Sequence, residues 1–294
     1  MPISKEEDVE IFQKELEIYY RWASINNMDF NSLKFVVLRY GPNEELKENT
    51  IYFSNDMLAP IDSLDTHKDL GVLMSRSGDF KEHIDFVIKK VRKLIGWVCR
   101  TFSSRNISFM RQIYVSILRP HIDYCSQLWG PGEGPQLDRL EKLQSYFTRL
   151  VPSIRNLTYT ERLREMNISS IQRRFDRYRI IYVRKILLNL VPNPGISIRR
   201  ESQERKGLQL EVNTMRTDSK LKSDSFLIRG PLTYNSLPED LRSLNESMDS
   251  FKKNLDEFLR IIPDCPRIDC GGSNLLNEQI KKWVWKLRYT VTGH

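Results

Sequence analysis

The chain has 294 residues, 40% of them hydrophobic and 29% charged, with a formal net charge of +8 at pH 7. That is enough for one large or two modest domains with real cores, the apolar and charged shares are ordinary for a soluble globular protein, and the sequence holds no internal repeat or low-complexity tract. No stretch approaches the ~18 consecutive apolar residues of a membrane span, and Met1 to Asp8 lacks a signal-peptide apolar run, so an intracellular location with no membrane partner is expected. The four cysteines, Cys99, Cys125, Cys265 and Cys270, are too few and scattered for a disulfide framework. Cys265 and Cys270 form half of a zinc-site pattern whose second ligand pair is missing.

The charge is unevenly placed. Residues 1–79 hold 8 Lys/Arg against 15 Asp/Glu, whereas residues 80–120 hold 9 against 2 and residues 155–206 hold 13 against 5. Such asymmetry points toward a polyanionic partner; the alternative is a pair of solvated helices kept soluble by lysine and arginine.

In chain order, residues 6–28 read as a helix. Val9, Phe12, Leu16, Tyr19 and Ala23 recur at helical spacing, Ile11, Ile18, Trp22 and Ile25 widen the stripe, and Asn26, Asn27 and Asp29 end it. Three extended segments follow, Lys34–Tyr40, Thr50–Phe53 and Lys68–Met74, bounded by turn formers such as Gly41-Pro42-Asn43 and read together as a small antiparallel sheet. From residue 80 the period becomes helical. Ile84, Val87, Ile88, Val91, Leu94, Ile95, Val98 and Phe102 make a broad stripe on a helix over about 82–102, with His83 at its start. Asn106 begins a helix that Pro120 stops or kinks. After the break at Trp129–Pro135, a helix covers about 136–151. Thr158 and Glu161 form a capping box for a short helix to Met166, and a long helix runs over about 170–190. Residues 193–225 read as a loop or linker, strand-containing or mobile. Beyond it, Phe226–Pro231 and Tyr234–Pro238 precede a helix carrying Phe251, Leu255, Phe258 and Leu259, and a last helix over about 274–289 carries Trp283, Trp285 and Tyr289.

Opposite the apolar stripe of the 82–102 helix, Lys89, Arg92, Lys93, Gly96 and Arg100 share one face. Four cations around a glycine would let a phosphate backbone approach closely, giving sequence-independent, salt-sensitive duplex binding. Helix packing at Gly96 with solvated cations is the competing explanation. Arg173, Arg174, Arg177 and Arg184 form a second candidate cluster, with structural roles as the alternative. Trp97, Tyr124, Trp129, Trp283 and Trp285 are candidates for base stacking, although aromatics at helical spacing more often belong to a core.

Phosphate loops, nucleophile elbows and His-Glu-X-X-His helices are absent, and with only His67, His83, His121 and His294 a histidine-based triad has little material. There is also no adjacent Asp-Asp pair anywhere.

The segments Lys68-Asp69-Leu70-Gly71-Val72, Trp97…Arg100-Thr101-Phe102, Leu118-Arg119-Pro120-His121-Ile122-Asp123-Tyr124-Cys125…Leu128-Trp129, Tyr159-Thr160-Glu161-Arg162-Leu163 and Phe251-Lys252-Lys253…Leu255-Asp256, in that order, resemble the region following the active site of reverse transcriptases from non-LTR (LINE-like, jockey/CR1-type) mobile elements. The resemblance covers about residues 8–265. It implies an RNA-directed DNA polymerase fragment with a mostly helical α+β fold: a palm remnant of one helix and a small antiparallel sheet (1–79), a helical thumb (80–192), a loop or linker (193–225) and a helical C-terminal extension (226–294). It also implies that Lys34 matches the lysine that approaches a nucleotide's phosphates, that Leu70 and Gly71 match a primer-grip hairpin, and that the partner is an RNA/DNA template–primer duplex. Polymerases of this type hold two metal ions on aspartates, two of them adjacent. Without that pair the chain is expected to have no catalytic residue and no polymerisation alone, Mg2+ being expected only for an intact polymerase. The alternative is a non-catalytic protein-interaction or structural product, with a protein partner at an exposed palm edge.

Overall fold

The structure, a computed structural model, describes residues 5–28, 30–31, 34–40, 51–54, 59–199, 209–211, 223–272, 274–281 and 283. The chain is α+β and mostly helical, and its contacts group into two units, Met1–His83 and Ile84–His294. Trp285, Tyr289, the Gly41-Pro42-Asn43 turn and His294 lie outside the described residues.

In the first unit, α1 (Glu6–Ile25) begins where the Asp8 carboxylate accepts the Lys5 N–H at 2.9 Å, and it ends at Asn27 in the left-handed region with the Met28 N–H bonded to the Ala23 carbonyl. Asparagine tolerates that conformation, so it stops the helix while satisfying the last carbonyls. Asn167 and Asn189 repeat the device after two later helices. The strands are β1 (Val36–Leu38), β2 (Phe53–Ser54), β3 (Ala59–Pro60), β4 (Asp62–Leu64), β5 (Thr66–Asp69) and β6 (Val72–Ser75). They form two-stranded ladders: β2–β3 and β5–β6 are antiparallel, but β1 pairs with β4 in parallel, a departure from the all-antiparallel expectation. Gln13 on α1 takes a strand's place beside β2, its amide donating to the Phe53 carbonyl and accepting the Phe53 N–H. Phe12 packs edge-on to Tyr52 at 5.2 Å.

The β5–β6 turn is Leu70-Gly71, both with positive φ, 43° and 86°. A two-residue hairpin of that twist needs this backbone, which glycine adopts freely and leucine does not. His83 is buried and accepts the Leu73 N–H at 3.2 Å on Nδ1. Burial, with Lys68 nearby, lowers its pKa to about 4.

The second unit is built on helices. The first, α2 (Lys81–Thr101), starts just before the unit boundary; α3 (Ile107–Ile113) is capped by the Asn106 carboxamide accepting the Phe109 N–H. A π-helical segment, Tyr114–Leu118, leads into α4 (Arg119–Asp123). Pro120 has no N–H for the Ser116 carbonyl and its ring crowds it, so the helix widens before the proline and continues rather than stopping. Then follow α5 (Ser126–Trp129), α6 (Pro135–Arg149), α7 (Tyr159–Glu165), α8 (Ile171–Leu187), the antiparallel hairpin of β7 (Ser197–Arg199) and β8 (Gln209–Glu211), α9 (Phe226–Asn235), α10 (Glu239–Arg242), α11 (Met248–Ile261) and α12 (Arg267–Cys270). The expected capping box is present, with Thr158 accepting the Glu161 N–H and the Glu161 carboxylate accepting the Thr158 N–H.

Helix α8 is central. Ile180, Val183 and Ile186 share a core with Tyr234 of α9, Phe251 and Leu255 of α11 and Leu276. A Cβ on Gly230 would meet Val183 Cγ2 at 3.0 Å, so α9 lies close enough to α8 to favour glycine there. Trp129 is core, packed on Phe175 at 5.5 Å, and Trp283 is partly buried against Phe258. Cys265 and Cys270 are placed as a disulfide, Cα atoms 6.1 Å apart, where the spacing alone suggested half a metal site.

Glu141 of α6 is fully buried between α7 and α8, accepting from the Tyr159 hydroxyl at 2.5 Å and the Gln172 N–H at 3.0 Å. Burial outweighs those bonds and raises its pKa to about 7. A carboxyl that holds its proton more tightly when folded stabilises fully below the unfolded value of about 4.5, and that stability is lost as pH rises through 7. Between pH 5 and 8 the urea midpoint of the wild type relative to Glu141→Gln is expected to fall by the equivalent of roughly 3 kcal/mol. Substitution of Leu70 by Asn, which suits the turn, is expected to raise thermal stability by about 1 kcal/mol, read from a melting curve.

Candidate nucleic-acid interface

Amphipathicity decides which way α2 presents its cations. Ile84, Val87, Ile88, Val91, Ile95 and Val98 are buried, which leaves Lys89, Arg92, Lys93 and Arg100 exposed on the remaining arc. The five residues expected to share a face do so. None of the four cations is ion-paired among the described residues; the nearby carboxylates Asp79 and Asp85 pair with Lys81 and Arg139 instead.

Gly96 stands among them, and the only side chain near it is that of Arg100, whose Nη1 would lie 3.4 Å from an added Cβ. No neighbouring helix packs on the glycine among the described residues, so helix packing does not account for it. The result is a low point in a cationic ridge, with the flexible Arg100 guanidinium lying over it.

Two features adjoin the ridge. Trp97 is 42% exposed and sits beside Lys93 and Arg100 on the helix, its ring edge-on to Phe102 at 5.6 Å, with Phe102 edge-on to Phe109 at 5.2 Å. Periodicity alone leaned toward core for such an aromatic; its place beyond the edge of the apolar arc is the signal that separates it from Trp129. Lys90 is also exposed and continues the charge around the helix, where with burial it lowers the pKa of His121. Arg105 closes the end of α2 by donating to the carbonyls of Cys99 and Phe102, so its charge serves the helix terminus.

The second cluster, Arg173, Arg174, Arg177 and Arg184, is structural. Arg173 is buried and donates to the carbonyls of Leu259, Ile262 and Pro263. Arg184 is buried over the Phe251 ring and reaches the Arg242 and Glu246 carbonyls. Arg174 pairs with Asp123 at 2.6 Å and Arg177 with Asp256 at 2.5 Å.

The remaining candidates lie in the first unit. Lys34 is exposed in a 3-10 turn, its N–H bonded to the Asn31 carbonyl, two residues before β1. Leu70 and Gly71 are the tip of the β5–β6 hairpin, with Leu70 83% exposed. Groups of three or more His, Cys, Asp or Glu able to hold a metal ion are absent among the described residues, and no described helix is long and apolar enough to cross a membrane. Comparison with protein-family models, curated proteins and solved structures finds no match to the chain.

Gly96→Ala is expected to stabilise the chain by about 1 kcal/mol, since alanine is the better helix former and its methyl meets only a flexible guanidinium. A urea titration reads this; a glycine needed for close helix packing would give a loss instead.

Proposed function

We propose that the second unit grips a nucleic-acid duplex through the α2 ridge, as the thumb of a non-LTR retrotransposon reverse transcriptase would, and that the chain does not polymerise by itself. The observation that carries this reading is the exposure of Lys89, Arg92, Lys93 and Arg100 around Gly96, on which no other element packs, with no carboxylate partner among the described residues. Unmatched cations on one helix face attract a polyanion at long range, and contacts to phosphate need no base sequence. A hairpin tipped by Leu70-Gly71, then a long basic helix, then a helical run that passes through a π-helical segment and ends at Asp123 is the order of parts the resemblance implies. The missing Asp-Asp pair removes the two-metal centre from the reading.

A protein-binding role is the second reading, favoured by α1. Ile11, Ile18, Trp22 and Ile25 lie exposed along one side of it, Trp22 by 53%, an apolar surface unusual for an isolated helix face.

Anisotropy with a labelled RNA–DNA hybrid at several salt concentrations separates the two. The wild type is expected to bind with a steep log–log salt dependence. Alanine at Lys89, Arg92, Lys93 and Arg100 together is expected to flatten that slope by roughly 3 to 4, at about 0.9 for each phosphate no longer neutralised. Absence of hybrid binding, or a slope the four substitutions leave alone, would remove the duplex reading and leave the protein-binding one.

A further inference from the structure

A cavity of about 380 Å³ opens beside α6, away from the α2 ridge residues, lined among others by Lys142, Tyr146, Arg149, Thr158, Arg162 and Asp269. Lys142, Tyr146 and Arg149 follow one another at spacings of four and three along α6, so they form a row on one side of the helix. Lys142 and Arg149 are exposed and neither is ion-paired among the described residues. Arg162 is buried and held in place, its guanidinium donating to Thr148 Oγ1 at 2.9 Å, Ser145 Oγ at 2.7 Å and the Leu157 carbonyl.

Two guanidinium groups therefore face one space, and their mutual repulsion is felt: burial first, then the charge of Arg149, lower the pKa of Arg162. Asp269 offsets part of it, but its oxygens already accept the Tyr159 and Thr160 N–H groups, which fixes the carboxylate at the start of α7. The lining thus holds three cations against one carboxylate, and an anion entering the cavity relieves the repulsion. The volume exceeds what a bare phosphate needs and falls in the range that admits a nucleotide. Tyr146, 56% exposed, lines the same opening.

We propose that this cavity binds an unpaired nucleotide of a single strand, its phosphate held by Lys142 and Arg149, with the charge of the buried Arg162 behind them, and its base stacked on Tyr146. A paired base lies inside its own duplex stack and cannot reach a tyrosine, so the ligand is single-stranded. The site extends the nucleic-acid reading of the chain and rests on it only for the class of partner; its residues are separate from the ridge.

The test uses the full chain with fluorescein-labelled oligothymidylate and, in parallel, the RNA–DNA hybrid. Tyr146→Ala is expected to weaken oligothymidylate binding about tenfold while Tyr146→Phe, which keeps the ring, retains it, and neither changes hybrid binding. Lys142→Ala with Arg149→Ala is expected to flatten the single-strand salt slope by roughly 0.7, the value for the one phosphate no longer neutralised. The ridge substitutions act on the hybrid, so failure of the duplex reading leaves the single-strand measurement intact. Thymidine monophosphate should displace the strand at lower concentration than inorganic phosphate. Equal competition by inorganic phosphate with Tyr146→Ala silent would overturn the proposal in favour of a bare anion site, and unchanged single-strand binding in all cavity variants would overturn it outright.

Discussion

The second unit depends on arginines buried inside it and satisfied largely by backbone carbonyls. Arg173, Arg179 and Arg184 all lie on α8, and Arg162 lies just before it. Moving a guanidinium out of water costs several kcal/mol unless its donors are met, and carbonyl oxygens at chain ends and loop corners are groups that also need a partner. Arg173 meets three carbonyls where α11 ends, complementing the negative end of that helix, and Arg184 meets one at the end of α10 and one in the loop that follows it. Arg179 bonds Asp176 and the Gly130 carbonyl, tying the break after α5 to the same helix. Because the carbonyls that Arg173 and Arg184 meet lie 58 to 90 residues downstream in sequence, α8 cannot bury those two charges until the C-terminal helices are in place. The carboxylates run the other way: Asp264 accepts from Ser170 and Asn274, and Asp269 caps α7. Within the second unit, α7 and α8 and the helices after 226 are therefore tied into one body.

That constraint explains why two basic blocks of similar composition do opposite things. In α2 the apolar residues occupy a single arc, so the cations have nowhere to go but water, and the reading of Lys89, Arg92, Lys93 and Arg100 as one exposed face follows from periodicity. In α8 the buried set includes Ile171, Phe175, Ile180, Ile181, Val183 and Ile186, which surround the helix. A helix apolar all round is an interior helix, and its arginines must then be interior as well. The signal was in the sequence, but counting arginines hides it where mapping the apolar residues reveals it.

Other parts divide along the same line between local and distant causes. Caps are local chemistry, and Asn106, Thr158 with Glu161, and Asn27 mark helix ends that the sequence announces. Helix α9 falls in the stretch expected to be helical, but periodicity marked no separate helix there and its Gly230-Pro231 pair disfavours one; the glycine is accommodated because α8 packs close to it. The parallel β1–β4 pair was equally hidden, since strand pattern fixes which residues are extended and says nothing of direction. At the candidate interface, charge and spacing revealed the ridge, whereas the standing of Trp97 needed the boundary of the buried arc, and the cavity beside α6 needed α12 brought against residues 100 or more positions earlier.

A polyanion senses charge that the fold has left unmatched, so formal charge is a poor guide to where it binds. Of the cations on α8, Arg173, Arg177, Arg179 and Arg184 are held by the protein's own oxygens and are invisible to a phosphate. Those on α2 have no such partner among the described residues, and the same holds for Lys142 and Arg149 on α6. In α2 this follows from the amphipathic pattern, which turns its cations outward; in α6 it follows from Asp269, which lies in the cavity but is engaged by the start of α7. The binding surfaces are thus a consequence of how folding disposes of arginine: inward where a carbonyl waits, outward where none does, and only the outward set is available to a nucleic acid.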